Sequence, residues 1–214
     1  MKRSFDVMAA EKEPDTARLT IEGRITPGPC MLTLSPAHLE MAPIRTEDLA
    51  TDHPYYEGEK GEVKLNIFCP TNTSVGITSQ DEKPDPNPFQ QMSDDKSMPL
   101  ATLKGIFSSD DAVVGVYALQ LINMKYTRNG TEHKSEAIGR VHKGSGEWTS
   151  TPGGPLNGSE YNEISWGSNG GTIQAIGDSF SANILVTPFF RPAKDLDLTK
   201  EIVYRGASTI TLTY

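Results

Sequence analysis

The side chains of this chain best suited to chemistry are its four histidines, its two cysteines and a few acidic and glycine-rich runs. Their spacing decides what each can do. His38, His53, His133 and His142 fall in or beside turn-rich segments and form no H-x-H or H-x-x-x-H pair that would set imidazoles on one metal. Asp94 with Asp95, and Asp110 with Asp111, offer oxygen ligands without the Gly and Glu framework of a calcium loop, so they read as solvated loop charge. "GSGEW" and "GSNGG" resemble fragments of phosphate or nucleophile loops, but neither lies between a strand and a helix, and turn chemistry explains them. Asn72, Asn129 and Asn157 begin N-x-S/T sequons at positions where a turn wants Asn anyway. Trp148 and Trp166 could build an aromatic platform for a sugar, but one core and one surface tryptophan is the simpler reading of them. No acid/base pair or nucleophile constellation stands out. The expectation is a protein that is not an enzyme, with no metal and no cofactor.

The cysteines say more. Cys30 shares a parity with Leu32 and Leu34, and Cys69 shares one with Val63, Leu65 and Ile67, so both sulfurs should point inward from strands. Inward thiols fit a buried disulfide or two small core residues. If bonded, they close a loop of about 40 residues, worth about 4 kcal/mol in the chain-entropy model, and place the protein in an oxidising compartment.

The elements that would position these groups are strands. "ASTITLTY" closes the chain with Ile210, Leu212 and Tyr214 alternating against Thr209, Thr211 and Thr213, the pattern of a half-buried strand. Phe180, Ala182, Ile184 and Val186 alternate in the same way, and "EVKLNIFC" and "SVGITS" read as strands. "VVGVYALQLINMKYT" is apolar on both parities, which suits a strand covered on both faces, and "RNGTEH" supplies an Asn-Gly turn with a hairpin return toward Val141. Short pieces are expected near Met41 and Leu49, a strand around Trp166, and a crossing between sheets within "FFRPAKDLDLTKEI". "LTIEGRI" puts Leu19, Ile21, Gly23 and Ile25 on one face of an opening strand, behind a charged, unpatterned stretch over 1–17 expected to be a flexible tail. Residues 80–99 form a long Pro- and charge-rich loop. About eight or nine strands and no long helical period predict an all-β, two-sheet sandwich in one domain.

The bulk numbers agree. The chain of 214 residues has a mean hydropathy of -0.43, low for a helical bundle and suited to strands with polar outer faces. With 28 acidic and 20 basic residues the net charge is -8, which argues against nucleic acid or an anionic membrane as partner. No run reaches the roughly 18 apolar residues of a membrane span. "MKRSFDVMAA" has a basic start but no apolar region after it, so a leader, if the protein is exported, is expected to have been cut away or replaced.

Taken together, "ARLTIEGRITPGPC", "VKLNIFCPTNTSVGIT", "GVYALQL" and "DLDLTKEIVYRGASTITLTY" resemble a chaperone-usher fimbrial (pilus) subunit. "ITPGPC" and the closing G-x-S-T-I-T-L-T-Y are similar, more narrowly, to a fimbrial-like branch catalogued as a domain of unknown function. The likeness spans about 16–214, loosely over 80–157. It implies an immunoglobulin-like β-sandwich over 26–214 with an incomplete final strand, preceded by an N-terminal extension over 1–25. By the same resemblance Cys30 and Cys69 form a disulfide between the first two strands. Leu19, Ile21, Gly23 and Ile25 make a donor strand, and Ile210, Leu212 and Tyr214 border the groove that accepts one.

The partners implied are a periplasmic chaperone, an outer-membrane usher and neighbouring pilus subunits. The location implied is the periplasm during assembly and an extracellular fimbria afterwards. Strand addition works through main-chain hydrogen bonds, with alternate side chains setting register. Burying three apolar donor side chains gives about 4 to 9 kcal/mol before ordering costs. The other reading is a tip adhesin or carbohydrate-binding module using 80–99 and Trp148 or Trp166.

Overall fold

A computed structural model describes residues 28–49, 55–82, 103–141, 144–156, 163–168 and 170–214. The opening strand with Leu19, Ile21, Gly23 and Ile25, along with His53, His142, Asn157, Asp94 and Asp95, lies outside the described residues.

Thirteen strands are described: β1 (Met31–Ser35), β2 (Tyr56–Glu57), β3 (Gly61–Thr73), β4 (Gly76–Asp81), β5 (Leu103–Ser108), β6 (Val113–Arg128), β7 (Thr131–Lys134), β8 (Glu136–Arg140), β9 (Thr149–Ser150), β10 (Glu163–Gly167), β11 (Gly177–Phe190), β12 (Tyr204–Arg205) and β13 (Ser208–Thr213). They form two sheets. The larger runs β1-β3-β11-β6-β5-β12, with β2 beside β11 and β7 beside β6, and the smaller runs β13-β4-β10-β8-β9. All their pairings are antiparallel. The chain is therefore all-β and sandwich-like. Among the described residues no helix is long and apolar enough to cross a membrane.

Period-two patterning builds the core between the sheets. β3 sends Leu65, Ile67 and Cys69 inward and β11 sends Phe180, Ala182 and Ile184, each at most 3% exposed, while Trp166 of β10 is fully buried between them. Its indole N–H donates to the Ser181 carbonyl, 3.1 Å away, so the buried donor is satisfied. β6 is covered on both faces over Val114–Tyr117 and alternates further on, because the second half of its outer face is solvated. The β6–β7 turn holds Asn129 at φ 52° and Gly130 at φ 78°, left-handed values suited to Asn-Gly.

The architecture differs from the sequence expectations in four places. The described strands number thirteen because β2, β9 and β12 are two-residue pairings without a periodic signal, β7 and β8 divide one expected strand, and β5 was not read as a strand from its sequence, LKGIFS. The expected return toward Val141 divides at Ser135: β7 stays beside β6, and β8 enters the other sheet. Ser135 ties both sheets there, its N–H donating to Met124 and its hydroxyl to the Gly167 carbonyl. Among the described residues no strand forms near Met41 or Leu49; Leu49 instead buries its side chain from a turn. The crossing between sheets follows β12, later than "FFRPAKDLDLTKEI".

Candidate functional site

The seam between the sheets has two sides, and only one is closed by main-chain pairing among the described residues. Beyond β9, residues 154–156 bond to β6, with Leu121 N–H donating to Gly154 and Leu156 N–H to Leu119, so the chain itself laces the two sheets together there. On the other side the edge strands are β1 and β13. Neither has a second strand neighbour among the described residues.

Burial fades toward that open side. Leu32 and Leu34 of β1 and Ile210 and Leu212 of β13 pack against the core yet remain half-buried. Val63, near the start of β3, and Val186, within β11, are half-buried as well. Apolar side chains that touch a core without being covered by it are what a missing strand would leave.

Four side-chain tethers hold β13 in place. At its start the Tyr117 and Ser208 hydroxyls bond at 2.6 Å. Burial, together with the nearby Asp81 and Glu82 charges, raises the Tyr117 pKa, and the Ser208 bond only partly opposes them. Near its end the Thr213 hydroxyl donates to Glu163 Oε1. Glu163 is 1% exposed, and its Oε2 also accepts from Arg140 Nη2 at 2.6 Å, Arg140 Nε at 2.7 Å and Gly144 N–H at 3.1 Å. Burial pushes this carboxyl up, but the donors from Thr213, Gly144 and Arg140 outweigh it and leave it below the ordinary range. Gly76 makes room for the arrangement: a Cβ there would lie 2.4 Å from Glu163 Oε1 and 2.6 Å from the Thr213 hydroxyl.

The last two tethers come from Tyr214, just past β13. Its hydroxyl accepts from the Cys30 N–H at 2.9 Å and faces the Cys30 carbonyl at 3.5 Å. Tyr214 is 67% exposed, so of the three residues expected to line the groove, Ile210 and Leu212 lie against the core and Tyr214 bridges to the opposite sheet edge. Thr209 and Thr211 face solvent, whereas Thr213 turns to Glu163.

Cys30 and Cys69 form a disulfide joining the start of β1 to β3. Cys69 is 1% exposed and Cys30 partly buried, both packed with the core.

The remaining candidates are scattered. His38 is exposed, and His133 stacks on Tyr126 with ring centroids 5.0 Å apart. Asp110 pairs with Lys200, and the Asn72 amide donates to Asn129 at 2.9 Å. Trp166 belongs to the core, and the Trp148 ring carries Arg140 at 4.5 Å over its centre. The two tryptophans therefore make no shared platform.

Sequence reasoning missed two buried charges, Glu163 with its partly buried partner Arg140, and Lys104. Glu163 and Arg140 carry no periodic or motif signal. Lys104 of β5 is 1% exposed with no hydrogen-bond partner on its amine among the described residues. Desolvation lowers its pKa, with Asp81 partly opposing.

No family model matches the chain, and no curated protein matches it. A solved structure, described as a chaperone-tip adhesin complex in CFA/I fimbriae biogenesis, aligns with 85% of this chain and 42% of its own chain at 13% identity and a TM-score of 0.38. The chain thus spans less than half the length of that matched chain. So low a score carries no argument, and the sandwich stands on its own strand pairing.

Proposed function

We propose that the protein is a structural subunit of a chaperone-usher fimbria, an incomplete sandwich that takes a strand from outside along β13 and β1. A periplasmic chaperone supplies that strand first, and the leading segment of the next subunit, with Leu19, Ile21, Gly23 and Ile25 on one face, replaces it. The observation that carries the reading is the open seam: two edge strands from opposite sheets, half-buried Leu32, Leu34, Ile210 and Leu212 between them, and no strand covering them among the described residues. An edge like this is a template for strand addition. The Cys30–Cys69 disulfide fits export to an oxidising compartment, and the net charge of -8 fits a chain that does not seek anionic partners.

The test uses a synthetic peptide spanning residues 16–27 added to the full-length protein. A ligand that binds only the folded state stabilises it by about 2.7 kcal/mol at 100 times its Kd, so thermal melts should shift upward with peptide concentration. A control peptide with Ile21→Asp and Ile25→Asp should have no effect. If neither peptide moves the melting temperature and the full-length protein stays monomeric at all concentrations, the reading fails.

A further inference from the structure

We propose that Tyr214 sets the register of the strand that fills the seam, by holding the outward main-chain groups of Cys30, just before β1, so that an entering strand pairs from Leu32 onward. This rests on the strand-accepting reading above.

The β1–β3 register, with Met31 opposite Phe68, continues to put Cys30 opposite Cys69, and their Cα atoms are 4.2 Å apart. That short separation marks a non-hydrogen-bonded antiparallel pair, whose N–H and C=O groups point away from the partner strand. Those of Cys30 therefore face the open edge. Alternation turns the same groups of Leu32 and Leu34 outward too, giving this edge three outward positions in a row.

The first of these is filled. A phenol hydroxyl can accept and donate at once, and that of Tyr214 meets the Cys30 N–H at 2.9 Å and the Cys30 carbonyl at 3.5 Å. The contact is held from behind, because Thr213, the preceding residue, is pinned to the buried Glu163. An entering strand can slip only in steps of two residues, since a one-residue shift would turn its apolar face to solvent. Cys30 and Leu32 are one such step apart. Occupying Cys30 therefore blocks the next alternative register and leaves the main chain of Leu32 and Leu34 to the guest.

Amide hydrogen exchange resolved residue by residue tests this on full-length protein, wild type and Tyr214→Phe, with the peptide spanning residues 16–27 as probe. The variant keeps the ring and loses only the hydroxyl, and a melting curve checks its fold. In wild type, the peptide should slow exchange at Leu32 and Leu34 and leave Cys30 unchanged. In Tyr214→Phe without peptide, Cys30 should exchange about fivefold faster, the worth of one modest hydrogen bond, and the peptide should then slow it about tenfold. If the chain's own leading segment already fills the seam, slow exchange at Leu32 and Leu34 precedes the peptide, and the Cys30 comparison is read without it. The proposal is overturned if Cys30 in the variant stays unaffected while Leu32 and Leu34 are slowed, or if the peptide changes Cys30 alike in both proteins. No slowing at Leu32 and Leu34 in either protein removes the strand-accepting reading itself, and this one with it.

Discussion

Glu163 shows how a single buried carboxylate can hold an edge strand. It collects donors from Thr213, Arg140 and Gly144, so its charge is compensated although its side chain is sealed. Glu163→Gln leaves the Arg140 guanidinium, whose side chain is 15% exposed, without its counter-charge. We expect a loss of about 3 kcal/mol in urea unfolding. Its pH dependence has a definite sign. A carboxyl lowered in the folded state stabilises fully above its unfolded value of about 4.3, and loses that contribution as pH falls through the lower folded value. Wild type should therefore weaken on acidification below about pH 4.3 more steeply than Glu163→Gln. Lys104 has the opposite character, a buried amine with no hydrogen-bond partner among the described residues. Its folded pKa lies below the ordinary value of about 10.4, so the unfolded chain binds more protons in that interval and stability rises as pH climbs through it. Lys104→Met should stabilise the protein by about 1 kcal/mol or more at pH 7 and flatten the alkaline rise, read from urea midpoints at pH 7 and pH 10.

Strands with one apolar face were legible from sequence because their period is two and nothing interrupts it: β3 with Leu65, Ile67 and Cys69, β11 with Phe180, Ala182 and Ile184, and β13 with Ile210 and Leu212. The doubly covered reading of β6 holds for Val114–Tyr117, where both faces are buried. β2, β9 and β12 were invisible because two residues have no period, and the division of β7 from β8 at Ser135 depends on bonds to Met124 and Gly167, distant in sequence. At the site, the half-buried residues of β13 could be read from alternation, but its tethers could not. Glu163 and Lys104 are charged types that sequence assigns to the surface, and only the fold reveals the donors around the carboxylate and, among the described residues, the lack of an acceptor at the amine. Tyr214 shares the parity of Leu212, and the resemblance has it border the groove. The strand ends at Thr213, and past that point alternation no longer governs where the ring goes.

At the scale of the whole molecule, a sandwich whose β1 and β13 edges have no strand between them among the described residues has to keep those edges from drifting apart, and the disulfide serves that need. Cys30 is fixed to β3 in the core by its sulfur and touched from the other sheet by Tyr214, so the covalent link and the inter-sheet contact meet at one residue. Cross-linking residues 39 apart in sequence restricts the unfolded chain, an effect worth about 4 kcal/mol in the chain-entropy model. Replacing both cysteines by serine should lower the urea midpoint by roughly 2 M, taking an m-value of about 2 kcal/mol per M. A second consequence separates the role at the seam from global stability. With β1 no longer anchored, the Cys30 contact to Tyr214 loses its fixed partner, and the peptide spanning residues 16–27 should bind more weakly even well below the unfolding midpoint. A double serine variant that unfolds earlier yet binds the peptide as tightly as wild type would confine the disulfide to stability and leave the seam to be shaped by β3 and β13 alone.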